Sequence, residues 1–414
     1  MNLGIDKYLA FSVLLCTSGV SVGQASFEKI LMTQIAASGW RPSAELYRNP
    51  DEGISEVGRK IFESESLSLN GNISCRTCHQ DKFGTSDGIP NAAATGEGRL
   101  AVHGGGRIVG PDRLMAGAKL LPRHVLPFWG RGGVGFETFF WEGKVDFSEG
   151  KEISQFGAHP PSEDALVVAV HLPVVEIREM LNEDEFVTAR KKESVEQAKE
   201  VYAKISSSLQ RDEPQASQAI AGYLNKSVGQ LQYTDYARAV AAFIRSEFRV
   251  KPTKLEHFMS GKETLSQDEL RGGIIFYGRG GCVLCHSGAY FSDFKFHLIP
   301  FPQLGFGKNG FGVDYGRYNT TFDTNDLYKF RTPPLYNVEK TSPYGHSGSV
   351  KTMEGAILAH TDPLRLVDLR SLDGYSRHEY YTRLSQSGEV GQKVSYLSDA
   401  DVSQVVAFLR TLSF

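Results

Sequence analysis

"ISCRTCHQD", residues 73–81, and "GGCVLCHSG", residues 280–288, place Cys-x-x-Cys-His twice in one chain of 414 residues. Four of the five cysteines lie in these motifs, and the fifth is Cys16. Two disulfides are one reading of four cysteines in an exported chain. A four-cysteine zinc site is another, because paired C-x-x-C knuckles make one. Both leave His79 and His286 without a role. Covalent c-type haem uses all six residues: Cys75 with Cys78, and Cys282 with Cys285, add to porphyrin vinyl groups, and the adjacent imidazole ligates the iron. Two covalently bound haems are therefore the expectation.

The flanks repeat as well. "VGRKIFESESLSLNGNIS" (57–74) and "LRGGIIFYGRGG" (270–281) each carry a glycine followed by an apolar pair, Ile61-Phe62 and Ile275-Phe276, as a short leading helix requires. "YTDYARAVAAFIRSEF" (233–248) and "LSDADVSQVVAFLRTLSF" (397–414) read as closing helices, the second capped by Ser398 with Asp399 and Asp401 in its first turn. Leading helix, haem motif and closing helix, twice over, predict a mainly α fold of two class I cytochrome c-like domains with few or no strands. The first spans 26–250 and carries the haem of His79; the second spans 251–414. The boundary falls in "VKPTKLEHFMSGKETLS", where Pro252 interrupts the helix.

With 41% hydrophobic residues and a net charge of −3, the chain has ample core for two modules and no basic footprint for a nucleic acid. Residues 1–25 read as a signal peptide: Lys7 precedes an apolar run, and Gly23 and Ala25 precede Ser26, predicting cleavage after Ala25 and a periplasmic protein with no membrane span in its mature form. A lipid anchor at Cys16 is disfavoured by the bulky Leu15 before it. Residues 181–230 are charged and helical in pattern, read as solvated helices of the first module. "GRGGVGFE" (130–137) and "GFGKNGFG" (305–312) lack a strand-turn-helix context and read as loops rather than nucleotide sites.

"VGRKIF…GNISCRTCH", "FFWEGKVDF", "GGCVLCHSGAYFSD" and "FRTPPLYNVEKTSPYGHSG", in that order from about Val57 to Phe414, closely resemble the bacterial dihaem cytochrome c peroxidases and their MauG relatives. The resemblance implies that the haem of Cys75, Cys78 and His79 reacts with hydrogen peroxide and that the second haem passes electrons. It also implies that Trp141 stands between them as an intermediate site for an electron or a hole. A peroxide site needs an acid-base group. The family's glutamate, six residues after a proline, corresponds to Glu179 after Pro173, with Met180 matching too.

Three departures from the family pattern stand out. Ala169 occupies the position of a distal glutamine, so hydrogen bonding to peroxide differs here; His171 is a substitute to weigh against an ordinary core histidine, and His103 and His124 are remote candidates for a reversible sixth ligand. His360 stands where the peroxidases carry an axial methionine and MauG a tyrosine, making it the expected sixth ligand opposite His286, with His346 and His297 as rivals. A second imidazole lowers the iron potential relative to a thioether, which favours MauG-like storage of an oxidising equivalent. Finally, the family's calcium between the haems would use oxygens near Thr332 and Pro334, but Gly130 replaces the asparagine, and a calcium site needs six or more oxygens.

The resulting expectation is a dihaem oxidoreductase that uses hydrogen peroxide to oxidise a protein. The partner is either a small cytochrome or copper protein that donates electrons, or a dedicated substrate modified on an aromatic side chain. The rival from another class is a non-catalytic electron-transfer cytochrome with both irons fully ligated.

Overall fold

The structure, a computed structural model, describes residues 24–94 save 70, 102–103, 106–107, 119–181 save 158, 177 and 178, 195–308, 312–388 and 395–414. The expected signal peptide thus lies almost wholly outside the described residues, as does the side chain of His103. The helices that build the modules are α1 (Gln24–Ala37), α2 (Ser55–Glu63), α3 (Cys75–Cys78), α4 (Ala165–His171), α5 (Val195–Asp212), α6 (Tyr233–Glu247), α7 (Gln267–Tyr277), α8 (Met353–Thr361) and α9 (Asp399–Arg410). Strands among the described residues are two-residue antiparallel pairs only, such as 138–139 with 145–146 and 296–297 with 330–331. The fold is mainly α, as the motifs predict, and each Cys-x-x-Cys-His motif follows a helix that crosses a second one.

The same helix crossing occurs in both modules, and a glycine makes it. On α2, a Cβ at Gly58 would stand 1.8 Å from the Ala239 carbonyl oxygen of α6; on α7, a Cβ at Gly272 would stand 1.8 Å from the Gln404 carbonyl oxygen of α9. Three and four residues further on, the apolar pairs fill the crossing. Phe62 meets Phe243 with ring centres 5.0 Å apart, and Phe276 meets Phe408 at 5.3 Å. Ile61, Phe62, Phe276 and Phe408 are buried, each contributing about 1.5–3 kcal/mol of hydrophobic stabilisation. Both helices of the second crossing are started by capping boxes, Ser266 with Glu269 on α7 and Ser398 with Asp401 on α9.

Helix α1 packs on the second module although it is the earliest described helix. Leu31 lies 2.8 Å from where a Gly273 Cβ would be. Ser38 accepts from the Gly288 amide at 2.9 Å, and Ser43 donates to Glu256 through both its amide and its hydroxyl. The charged stretch after residue 194 differs from a fully solvated reading: α5 buries Val201, Ile205 and Leu209 along one face and leaves only the other to water. Among the described residues, no helix is long and apolar enough to cross a membrane.

Candidate functional site

The first Cys-x-x-Cys-His begins α3, whose Ser74 cap exchanges hydrogen bonds with Thr77. One turn of helix sets Cys75 and Cys78 on the same side, and His79 ends it. His79 Nδ1 donates to the Thr85 carbonyl at 2.8 Å, which fixes the ring and its tautomer. Phe128 stacks on the imidazole with ring centres 3.8 Å apart. These residues line a cavity of ≈ 520 Å³, whose wall also includes Trp141, Glu179 and Ala169. That is the size range of a buried cofactor site, and two thiols with an oriented imidazole are the donor set of a covalent haem.

Glu179 reaches this wall through the short 3-10 turn Pro173–Val175, whose proline opens the turn. Burial, and then the negative charge of Glu176, push its carboxyl up to about 7. A carboxyl half-ionised near neutrality can both take and return a proton. Trp141 is in the same wall, with its indole N–H donating to the His124 carbonyl at 2.9 Å and its ring edge-on to Phe330 at 6.3 Å.

In the second module, Cys282 and Cys285 flank a single 3-10 turn (Cys282–Leu284), and His286 Nδ1 donates to the Phe291 carbonyl at 2.9 Å. Helix α8, capped by Thr352, presents His360 near its end, with Nδ1 donating to the Ala356 carbonyl at 2.7 Å. The two ring centres are 6.3 Å apart. One metal between two imidazole nitrogens at about 2.0–2.1 Å, with about 1.1 Å more from each nitrogen to its ring centre, imposes that separation. The cradle fits a six-coordinate haem iron.

The other candidate histidines are engaged elsewhere. His124 is buried, with Nδ1 on the Ile89 carbonyl and Nε2 on Ser86. His171 spends both nitrogens on Val167 and Thr234, and burial holds its pKa down at about 4. It is a satisfied core histidine, not a replacement for the amide that Ala169 lacks. His346 bonds Gln303 and stacks on Phe330, and His297 pairs with Asp293. None of the four haem-motif cysteines forms a disulfide. The grouped metal donors among the described residues are Cys285, Asp293 and His297, so the two C-x-x-C pairs do not gather into a zinc site.

Sequence reasoning missed the charged neighbourhood of Glu179. Arg123 grips Asp314 through two bonds at 2.8 and 2.9 Å and also pairs with Glu142; Lys308 bridges Glu142 at 3.1 Å and Glu176 at 3.4 Å; Lys144 holds Glu176 at 2.5 Å. Lys308 and Asp314 come from the second module, so the network ties the modules together at the cavity. "FFWEGK" showed a charge pair beside Trp141, but nothing local in the sequence reveals a partner at 308.

The residues do not fit calcium. The Thr332 carbonyl already accepts from Ser292 Oγ at 2.7 Å and from Arg331 Nη1 at 3.2 Å. Gly130 brings no oxygen from a side chain, and a Cβ there would stand 2.6 Å from the Tyr290 ring.

A profile of the family described as di-haem cytochrome c peroxidase matches residues 52–264. The chain is 24% identical over 359 residues to the methylamine utilization protein MauG of Methylorubrum extorquens, covering 85% of this chain and 81% of that one. It is 25% identical over 362 residues to the cytochrome c551 peroxidase of Nitrosomonas europaea, covering 87% and 80%. The crystal structure of the diheme peroxidase BthA from Burkholderia thailandensis superposes with a TM-score of 0.61 at 19% identity, over 91% of this chain and 89% of that one, which is a likeness of fold.

Proposed function

The chain belongs to the di-haem cytochrome c peroxidase family and is a peroxidase-type oxidoreductase with two haem groups; from that premise we propose an exported, periplasmic enzyme that uses hydrogen peroxide to oxidise a protein partner. Residues 26–250 would form the peroxide-reacting module, save helix α1, which packs on the second, and 251–414 the electron-transfer module, with both haems attached through thioethers. Bound haem supplies an iron that takes up peroxide and holds oxidising equivalents. The observation that carries the proposal is the single cavity that collects Cys75, Cys78, His79, Trp141 and Glu179.

Each residue has a part. Cys75, Cys78 and His79 hold and orient the first haem. Glu179, poised near neutrality, accepts the proton from one peroxide oxygen and returns it to the departing one, so water leaves in place of hydroxide. Trp141 links this pocket to the second module, where the main chain of Arg331 donates to the Trp141 carbonyl at 2.8 Å. His286 and His360 would both hold the second iron, and a site so held would exchange electrons rather than bind peroxide. Two imidazoles favour the oxidised iron, and this supports a dedicated protein substrate modified on an aromatic side chain over a small cytochrome or copper protein as donor.

Rapid mixing of the purified holoprotein with peroxide tests the assignment. Glu179→Gln keeps the shape of the side chain and removes its proton chemistry; the reaction slows by about 10²–10⁴-fold while both haems remain attached. A wild-type rate in that variant removes Glu179 from the mechanism. Two low-spin haems in every redox state, inert to peroxide, would return the chain to the plain electron-transfer reading.

A further inference from the structure

Two guanidiniums lie buried, one in the wall of the first cavity and one against the loop that follows the second haem motif, and neither pairs with an acid among the described residues. Arg131 is 7% exposed and Arg331 1% exposed. No ion pair of either with a carboxylate occurs among the described residues. Arg131 lies in the wall of the first cavity and over the Phe128 ring that stacks on His79. Its Nε donates to the Pro127 carbonyl at 2.8 Å, and that is the hydrogen bond its side chain makes among the described residues.

Arg331 stands on the other side of this region. Its Nε donates to the carbonyl of Phe140, a residue of the first cavity wall, and its Nη1 to that of Thr332. Its guanidinium also sits 5.6 Å from the centre of the Phe294 ring, in the loop that follows the second haem motif. Asp293, beside Phe294 in the same loop, is committed to His297 at 2.9 Å.

Neutral carbonyls and ring faces do not repay the cost of burying two like charges; an anion must. Burial, and then the neighbouring charge of Arg331, hold Arg131 down at about 9. A divalent cation in this shell would add to that repulsion, and it would meet a Thr332 carbonyl already occupied by Arg331.

We propose that Arg131 and Arg331 form a resident dicationic clamp that takes the carboxylates of the two porphyrins and supplies the positive charge that a divalent ion would bring between the pockets. The clamp rests on two haems filling the two cradles. Its planar forks suit carboxylates bidentately, which lysine does not reproduce. The chain should accordingly be indifferent to calcium.

The test uses the holoprotein. After treatment with a calcium chelator and desalting, elemental analysis should find far less than one calcium per chain. Adding calcium should leave the haem absorption and both midpoint potentials unchanged. One tightly held calcium per chain, or a spectral or potential shift on its removal, overturns the proposal. Arg331→Gln and Arg131→Gln remove positive charge and lower the midpoint potential of the adjacent haem, with Arg331→Lys shifting it less. Wild-type potentials in both glutamine variants, with both haems in place, overturn it equally. If Arg331→Gln fails to fold, Arg131→Gln and the wild-type calcium measurements still decide. Intact mass reads the number of porphyrins separately, so a failure of the two-haem reading is distinguishable from a failure of the clamp.

Discussion

The imidazoles of His286 and His360 face each other with ring centres 6.3 Å apart and planes inclined at 61°, each with its Nδ1 tied to a backbone carbonyl. Both Nδ1 positions are donors, so each ring offers Nε2 as the basic nitrogen. His360→Met replaces one imidazole by a thioether and should raise the midpoint potential of one haem, leaving the other where it was. Redox titration followed by absorption checks this. An unmoved pair of potentials means that His360 is not a ligand.

Glu179 sets a pH dependence. Its ionised form must accept the first proton, so the rate of reaction with peroxide should rise with pH through about 7 and then level off. Stability runs the other way. The folded carboxyl holds its proton above the ordinary value of 4.5, so the native state binds more protons than the unfolded chain across that window. The stability contribution is complete below 4.5 and is lost as pH rises to about 7. Glu179→Gln should flatten both curves, as stopped-flow and denaturant titrations over that range will read.

The neighbours of Glu179 should move that midpoint in opposite directions. Glu176 pushes the carboxyl up, whereas Lys144 and Lys308 pull it down. Glu176→Gln therefore shifts the pH midpoint of the peroxide reaction lower, and Lys308→Gln shifts it higher. The Lys308 variant should also lose about 1–3 kcal/mol in chemical denaturation, less than a fully buried pair because its side chain is 26% exposed. Shifts of the same sign in both variants would refute an electrostatic origin.

The two glycine crossings make matched predictions. An alanine at Gly58 or at Gly272 drives a methyl to 1.8 Å from a backbone oxygen of the facing helix. Neither oxygen can withdraw without parting the helices, so each variant should lose at least about 1–3 kcal/mol. Calorimetry should show Gly58→Ala weakening the first module and Gly272→Ala the second. Retained stability in either would mean that the helices pass further apart than the contacts indicate.

The haem cradles were legible in the sequence because they are local. Cys75 to His79 span five residues, and the glycine with its apolar pair lies on the helix before each motif. His360 was legible only by spacing against a family pattern, since 74 positions separate it from His286. The charged ring around Glu179 was not legible at all: Lys308 and Asp314 meet Glu142 and Arg123 across 166 and 191 positions. Pattern reading registers neighbours along a helix face, whereas these pairs exist only once two modules have docked. Arg131 and Arg331 were hidden for the same reason, because an arginine in a loop reads as solvated until the packing around it is known.

Helix α1 leaves the first module bare of its opening residues and finishes the second, with Leu31 against α7 and Phe408 of α9 near the same glycine. The earliest described helix therefore finds its main partner only in α7, Gln267–Tyr277, which lies in the other half of the chain. Assembly closes as a loop and not from one end to the other, with the slow step set by bringing together α1 and α7, about 230 positions apart from Ala37 to Gln267.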